Sequence, residues 1–289
     1  MSEANGWLAV GNGHKLRYWV SGNPEGIPVL VLHGGPGSAS SARLAAVVPE
    51  QHWRIIRFDQ RGCGQSTPLG ATHDNNTDAL MNDIEALHAT LCVDKWLLTG
   101  GSWGAALALA YAARHKRRVA GLLLRAPFLT DVTDVEAFFA AGGSRCNTEF
   151  LALQQALGQP LQSGVVAAID AVMQRDGNFQ QQWRVASAWA CYEARMAQPD
   201  VCPPPPPPFG SAAAQALAAK YRVQAHYLVH SCFLGKATLL SAARKLSDVP
   251  VAIVQGDADA ICPLANAECL HEACVGSQLV RVPDAGHDP

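Results

Sequence analysis

Gly100-Gly101-Ser102-Trp103-Gly104 sets a serine among glycines in a G-x-S-x-G pattern. The pattern is short, and its surroundings give it meaning. A nucleophilic serine of this kind must follow a strand and open a helix. Lys95 to Thr99 reads as a strand, and Trp103 to Arg114 as an Ala- and Leu-rich helix. The turn between them has to be sharp enough that only small neighbours fit, and it pushes the hydroxyl into a cleft. The Trp103 N–H then lies at a helix start, where it can hold a developing oxyanion. A second such N–H is expected from the cluster His33-Gly34-Gly35-Pro36-Gly37. Gly35 is the candidate there, because glycine lets backbone approach a ligand closely.

A serine hydroxyl is a weak nucleophile and needs a base. In folds that carry this turn, the chain order is nucleophile, acid, histidine. Beyond the strand-free middle of the chain, His271 and His287 follow Ser102. His271 falls in a helical stretch and reads as a surface residue. His287 follows the last strand, within Pro283-Asp284-Ala285-Gly286-His287, which is the setting expected of the base. The acid should lie just past the preceding strand, at Gly256-Asp257-Ala258-Asp259. Asp259 is one residue deeper into the loop and is preferred. Asp257 is the alternative, and otherwise a turn residue bonding its own backbone. Asp284 and Asp288 flank the histidine too closely to orient it and read as solvated loop charges.

These residues need a scaffold. Trp7 to Val10 and His14 to Val20 read as an edge hairpin around the turn Gly11-Asn12-Gly13. Pro28 to His33 and Trp53 to Phe58 are apolar runs of the kind buried on both faces of a parallel sheet. Thr77 to Leu91 has helical spacing at Leu80, Ile84, Leu87 and Leu91. Val119 to Leu124 is another strand. From about Asp131 to Ser231 no buried strand appears, and the spacing there is helical. The rhythm resumes with a strand at Val249 to Gln255, a helix at Leu264 to Ala273 and a strand at Gln278 to Val282. Alternating strands and helices imply an α/β class with a mostly parallel sheet. The division expected is a core of residues 1–130 and 236–289, with a helical cap of residues 131–235 inserted over the active-site face. Pro203 to Pro208 must be extended, and reads as a stiff spacer between two cap helices.

Bulk properties narrow the function. The 289 residues carry a net charge of −2, which gives no reason to expect nucleic acid as a partner. The basic run Arg114 to Arg118 reads as a solvated helix C-terminus. Nine cysteines in no regular framework suit a reducing compartment. The short polar start has no apolar stretch of a secretory leader, and no apolar run is long enough to span a bilayer. A cytoplasmic location with no membrane partner is therefore expected. Oligomeric state is not legible.

Four elements together resemble the proline iminopeptidase (prolyl aminopeptidase) family of α/β-hydrolases. His33 to Gly37 is similar to its HGGPG element, and Asp59-Gln60-Arg61-Gly62-Cys63-Gly64-Gln65-Ser66 to its DQRGCGxS element. Gly100 to Gly104 with the following helix resembles GGSWG, and Gly256 to Pro263 resembles the GxxDxxCP element that carries the catalytic aspartate, which supports Asp259. The resemblance implies an α/β-hydrolase fold and a serine aminopeptidase that releases N-terminal proline from short peptides. It implies Ser102, Asp259 and His287 as the triad, and no metal or organic cofactor. It also implies two cap glutamates that read the substrate's imino group. Glu193, in Trp189-Ala190-Cys191-Tyr192-Glu193, matches the first. At the second, before His226-Tyr227, this chain has Gln224, which can accept a hydrogen bond but brings no charge. A carboxylesterase or amidase with the same triad and altered cap specificity is the second reading, and a non-catalytic small-molecule binding protein the third. The chain given ends two residues after His287, where the resemblance implies a further helix.

Overall fold

A computed structural model describes residues 3–160 and 164–287. Asp288 lies outside the described residues. The strands are β1 (Ala4–Ala9), β2 (Lys15–Gly22), β3 (Ile27–Leu32), β4 (Trp53–Phe58), β5 (Trp96–Gly101), β6 (Val119–Arg125), β7 (Val251–Gly256) and β8 (Gln278–Val282). They form one sheet in the order β1-β2-β4-β3-β5-β6-β7-β8. The β1–β2 hairpin is antiparallel and sits at one edge, and every pairing from β4 to β8 is parallel. Gly11, Asn12 and Gly13 all take positive φ, which is how two strands turn back in so few residues.

The helices are α1 (Ala42–Ala45), α2 (Thr77–Thr90), α3 (Trp103–Arg114), α4 (Val132–Arg145), α5 (Asn147–Leu157), α6 (Val165–Met173), α7 (Phe179–Ala197), α8 (Ala212–Val229), α9 (Lys236–Ala243) and α10 (Leu264–Ala273). Val29 to Leu32 are buried on both faces of β3, as a continuous apolar run predicts. Helix α3 is buried from Trp103 to Ala112 and lies between the sheet and α9. A helix apolar all round needs such a place. The central strands therefore hold the serine turn rigidly.

Helices α4 to α8 lie between β6 and β7 in the chain and build a core of their own around Phe139, Val185, Trp189, Tyr192 and Tyr221. Pro203 to Pro208 join α7 to α8 without hydrogen-bonded secondary structure. The segment is nonetheless anchored. The Trp183 indole donates to the Pro207 carbonyl at 3.0 Å, and Phe209 stacks on Phe179. No helix of the described residues is long and apolar enough to cross a membrane.

Candidate active site

Ser102 follows β5 with φ 55° and ψ −121°, a backbone conformation that costs a non-glycine residue about 1–3 kcal/mol. Its N–H donates to the Arg125 carbonyl at 2.9 Å, which holds the strained turn against β6. The glycines around it answer to close packing. A Cβ on Gly104 would lie 2.3 Å from the Leu32 carbonyl oxygen, so α3 can cross β3 at this height only without a side chain. Trp103 is the first residue of α3, and its N–H has no acceptor within the helix.

Gly34 and Gly35 line the cavity beside Ser102. Their loop is fixed by buried His33 and Gln60. The Gln60 N–H donates to His33 Nε2 at 3.0 Å, and its side-chain amide donates to the His33 carbonyl at 2.9 Å. The Trp103 indole donates to Gln60 Oε1 at 2.9 Å. Burial lowers the pKa of His33, so the ring stays neutral, with Nδ1 facing the Gly34 carbonyl and Nε2 free to accept. The two candidate oxyanion donors, Gly35 and Trp103, are thus tied to each other through side chains of the loop after β4. The sequence showed Gln60 within a motif but gave no sign of this linkage.

Asp259 and His287 meet across the ends of β7 and β8. His287 Nδ1 lies 2.9 Å from Asp259 Oδ2 and 3.2 Å from Oδ1. The Asp259 side chain is fully buried. Its Oδ1 accepts from the Ile261 and Cys262 N–H groups at 2.8 and 2.9 Å, and its Oδ2 from the Gln255 amide at 3.2 Å. Asp257 instead receives the Arg281 guanidinium at 2.8 Å on the surface. His271 faces the Ser277 hydroxyl, in α10. The histidine loop is pinned to the acid loop: Asp257 N–H donates to the Val282 carbonyl and Ala258 N–H to the Ala285 carbonyl. Gly256 permits this, since a Cβ there would lie 2.3 Å from the Ala285 oxygen.

Burial alone would lower the pKa of His287, but its contacts with Asp259 and Cys262 outweigh that and raise it to about 10. Cys262 is a residue of the site whose place the spacing did not reveal. Its sulfur lies 3.8 Å from Ser102 Oγ and is, among the described residues, the hydrogen-bond partner of that hydroxyl. His287 lines the same cavity without a hydrogen bond to Ser102 in this state. Such contacts commonly tighten only when substrate is bound.

The cavity has a volume of about 490 Å³, within the range of small-molecule sites. Its far wall comes from the inserted helices and β6, with Phe128, Phe138, Phe139 and Trp189 as apolar lining. Glu193 and Gln224 also face it. The Gln224 amide donates to Glu193 Oε1 at 2.5 Å, and the Tyr221 hydroxyl to Oε2 at 2.7 Å. Burial, reinforced by Glu193, raises the Tyr221 pKa well above its usual value and keeps it a donor. Lys220 was not singled out from sequence. Its ammonium lies 3.8 Å from Glu193 Oε2 and 4.6 Å above the Tyr221 ring. Its position four residues before Gln224 on one helix face was the available signal.

Residues 27–143 match the α/β hydrolase fold family. A probable proline iminopeptidase of Leptolyngbya boryana is 35% identical over 287 residues, covering 98% of this chain and 88% of that protein. The chain belongs to the proline iminopeptidase family. A proline iminopeptidase of Neisseria meningitidis is 35% identical across 98% of this chain and 90% of its own length. Among solved structures, a proline iminopeptidase-related protein of Thermus thermophilus superposes with a TM-score of 0.59 at 24% identity, over 99% of this chain and 91% of that one. An esterase of Rhodococcus sp. ECU1013 gives 0.62 at 22% identity, over 100% of this chain and 93% of its own. At these identities the two structures share the α/β hydrolase fold with this family member.

Proposed function

We propose that this proline iminopeptidase homologue is a serine aminopeptidase that releases N-terminal proline from short peptides or arylamides. The observation that carries the reading is the convergence of Ser102, His287 and the Glu193–Gln224 pair on one apolar-walled cavity. The core of residues 1–130 and 236–289 supplies the chemistry, and the helices of residues 131–235 act as a cap that shapes the pocket. Ser102 Oγ attacks the scissile carbonyl carbon while His287 takes its proton. Asp259 fixes the imidazole tautomer and stabilises the imidazolium. The Trp103 and Gly35 amides hold the oxyanion. Collapse breaks the C–N bond, and His287 returns the proton to the departing amine. Water, deprotonated by His287, then frees the acyl group from Ser102. Glu193 and Gln224 anchor the terminal nitrogen, and the apolar wall takes the pyrrolidine ring. All nine cysteines are free thiols, which supports a cytoplasmic location.

The test compares hydrolysis of prolyl p-nitroanilide, alanyl p-nitroanilide and p-nitrophenyl acetate, with Ser102→Ala as control. Proline-selective release of nitroaniline that is lost in the variant is expected. Serine-dependent ester cleavage without release from the prolyl anilide would refute the aminopeptidase reading and favour an esterase.

A further inference from the structure

Four side chains with fixed formal charge line the cavity: Asp134 and Glu193 are acidic, Arg125 and Lys220 basic. They balance. The one carboxylate placed to meet a substrate nitrogen, Glu193, already has the Lys220 ammonium 3.8 Å away. Lys220 is held there by more than charge, since its Nζ also lies 3.4 Å from the Tyr221 hydroxyl and over that ring. The second wall residue, Gln224, is 6% exposed, and its side-chain oxygen is buried without a hydrogen-bond partner. An unpartnered buried acceptor costs stability until something donates to it. One N–H of the same amide is committed to Glu193, which fixes the side chain and leaves its oxygen as the acceptor Gln224 offers.

We infer that Lys220 is a specificity-determining residue that neutralises the amine subsite, so that the enzyme accepts N-terminal groups whose nitrogen is an uncharged N–H, such as a lactam, as well as the prolyl cation. An incoming N–H donates to Gln224 Oε1. A cation brings a third charge beside the Glu193–Lys220 pair, where repulsion by Lys220 offsets part of its attraction to Glu193. A neutral ring escapes that penalty, and a lactam carbonyl adds an acceptor for an ammonium. The proposal rests on the reading that Glu193 and Gln224 face the substrate's terminal nitrogen.

The probes are prolyl and pyroglutamyl p-nitroanilide, which differ at the ring carbon beside the nitrogen. The wild-type enzyme is expected to cleave both, with kcat/KM values within about tenfold of each other. Lys220→Met keeps the stem over Tyr221 and removes the charge. Because Lys220 is one-third exposed and screened by water, the ratio should tilt toward the prolyl substrate by about tenfold, through KM. Lys220→Arg restores the charge and should return the ratio to the wild-type value. A wild-type preference for the prolyl substrate above about a hundredfold (some 2.7 kcal/mol), or a ratio unmoved by Lys220→Met, would overturn the proposal while leaving the aminopeptidase standing. If neither anilide is cleaved while Ser102-dependent ester hydrolysis persists, the underlying reading of the subsite fails, and the proposal with it.

Discussion

Amidation of Asp259 separates an orienting acid from a loop charge. In Asp259→Asn, the amide oxygen can go on accepting from the Ile261 and Cys262 N–H groups, now at 2.8 and 2.9 Å. That choice turns the new NH₂ toward His287 Nδ1, where a carboxylate oxygen now lies at 2.9 Å. A donor there forces Nδ1 to accept, and the ring proton moves to Nε2. His287 can then no longer take the Ser102 proton. The wrong tautomer costs a serine triad about 10⁴ in kcat, equal to about 5.4 kcal/mol of transition-state stabilisation. The assay is steady-state hydrolysis of prolyl p-nitroanilide, with thermal unfolding to show that the variant is folded. Asp257→Asn is the control. It removes a partly exposed pair with Arg281, worth about 0–1 kcal/mol, and should leave kcat near wild type. Retention of kcat within tenfold in Asp259→Asn, or an equal loss in Asp257→Asn, would refute the assignment.

Three further outcomes follow from the same site. With the His287 pKa raised to about 10, p-nitrophenyl acetate hydrolysis should still be rising at a pH of about 9, and Cys262→Ala should move that limb acidward; a limb unmoved and centred near 6.5 would contradict the environment described. The same shift stabilises the fold fully below 6.5 and is lost as pH climbs through about 10, so the Tm difference between wild type and His287→Ala should shrink across that interval. Ser102→Gly should abolish hydrolysis yet raise stability by about 1 kcal/mol, since glycine adopts φ 55° without strain; a lower Tm would mean that the serine side chain stabilises the turn.

Legibility followed the range of the interactions. The β5–turn–α3 unit was readable because its apolar run, its glycines and its helix are contiguous, and β3, β4 and β8 announced themselves in the same way. The helices of residues 132–229 were visible as helical spacing without boundaries, since their ends depend on packing among themselves around Trp189 and Tyr221. The choice of Asp259 over Asp257 rested on depth in the loop, and its burial follows from the turn that brings the Ile261 and Cys262 amides onto its carboxylate. Lys220 and Cys262 were missed for one reason. Each owes its place to a contact made across the chain, 27 residues back to Glu193 in one case and 160 back to Ser102 in the other. For Cys262 no local pattern records such a meeting, and for Lys220 the only local hint is its spacing four residues before Gln224.

The proline strap between α7 and α8 acts as a ruler. Glu193 sits near the end of one helix, Lys220 and Gln224 lie on the next, and the six prolines in the chain between them cannot coil. Each residue of such a rod adds about 3.1 Å, so removing a single proline would shorten the link by more than the length of a hydrogen bond. A flexible loop of equal length would absorb that change at its surface. Here it would have to come out of the short turns flanking the prolines, the Pro207 anchor on Trp183 or the helix register that brings Gln224 to Glu193. Substrate preference is thus expected to respond to the length of a segment that does not line the cavity.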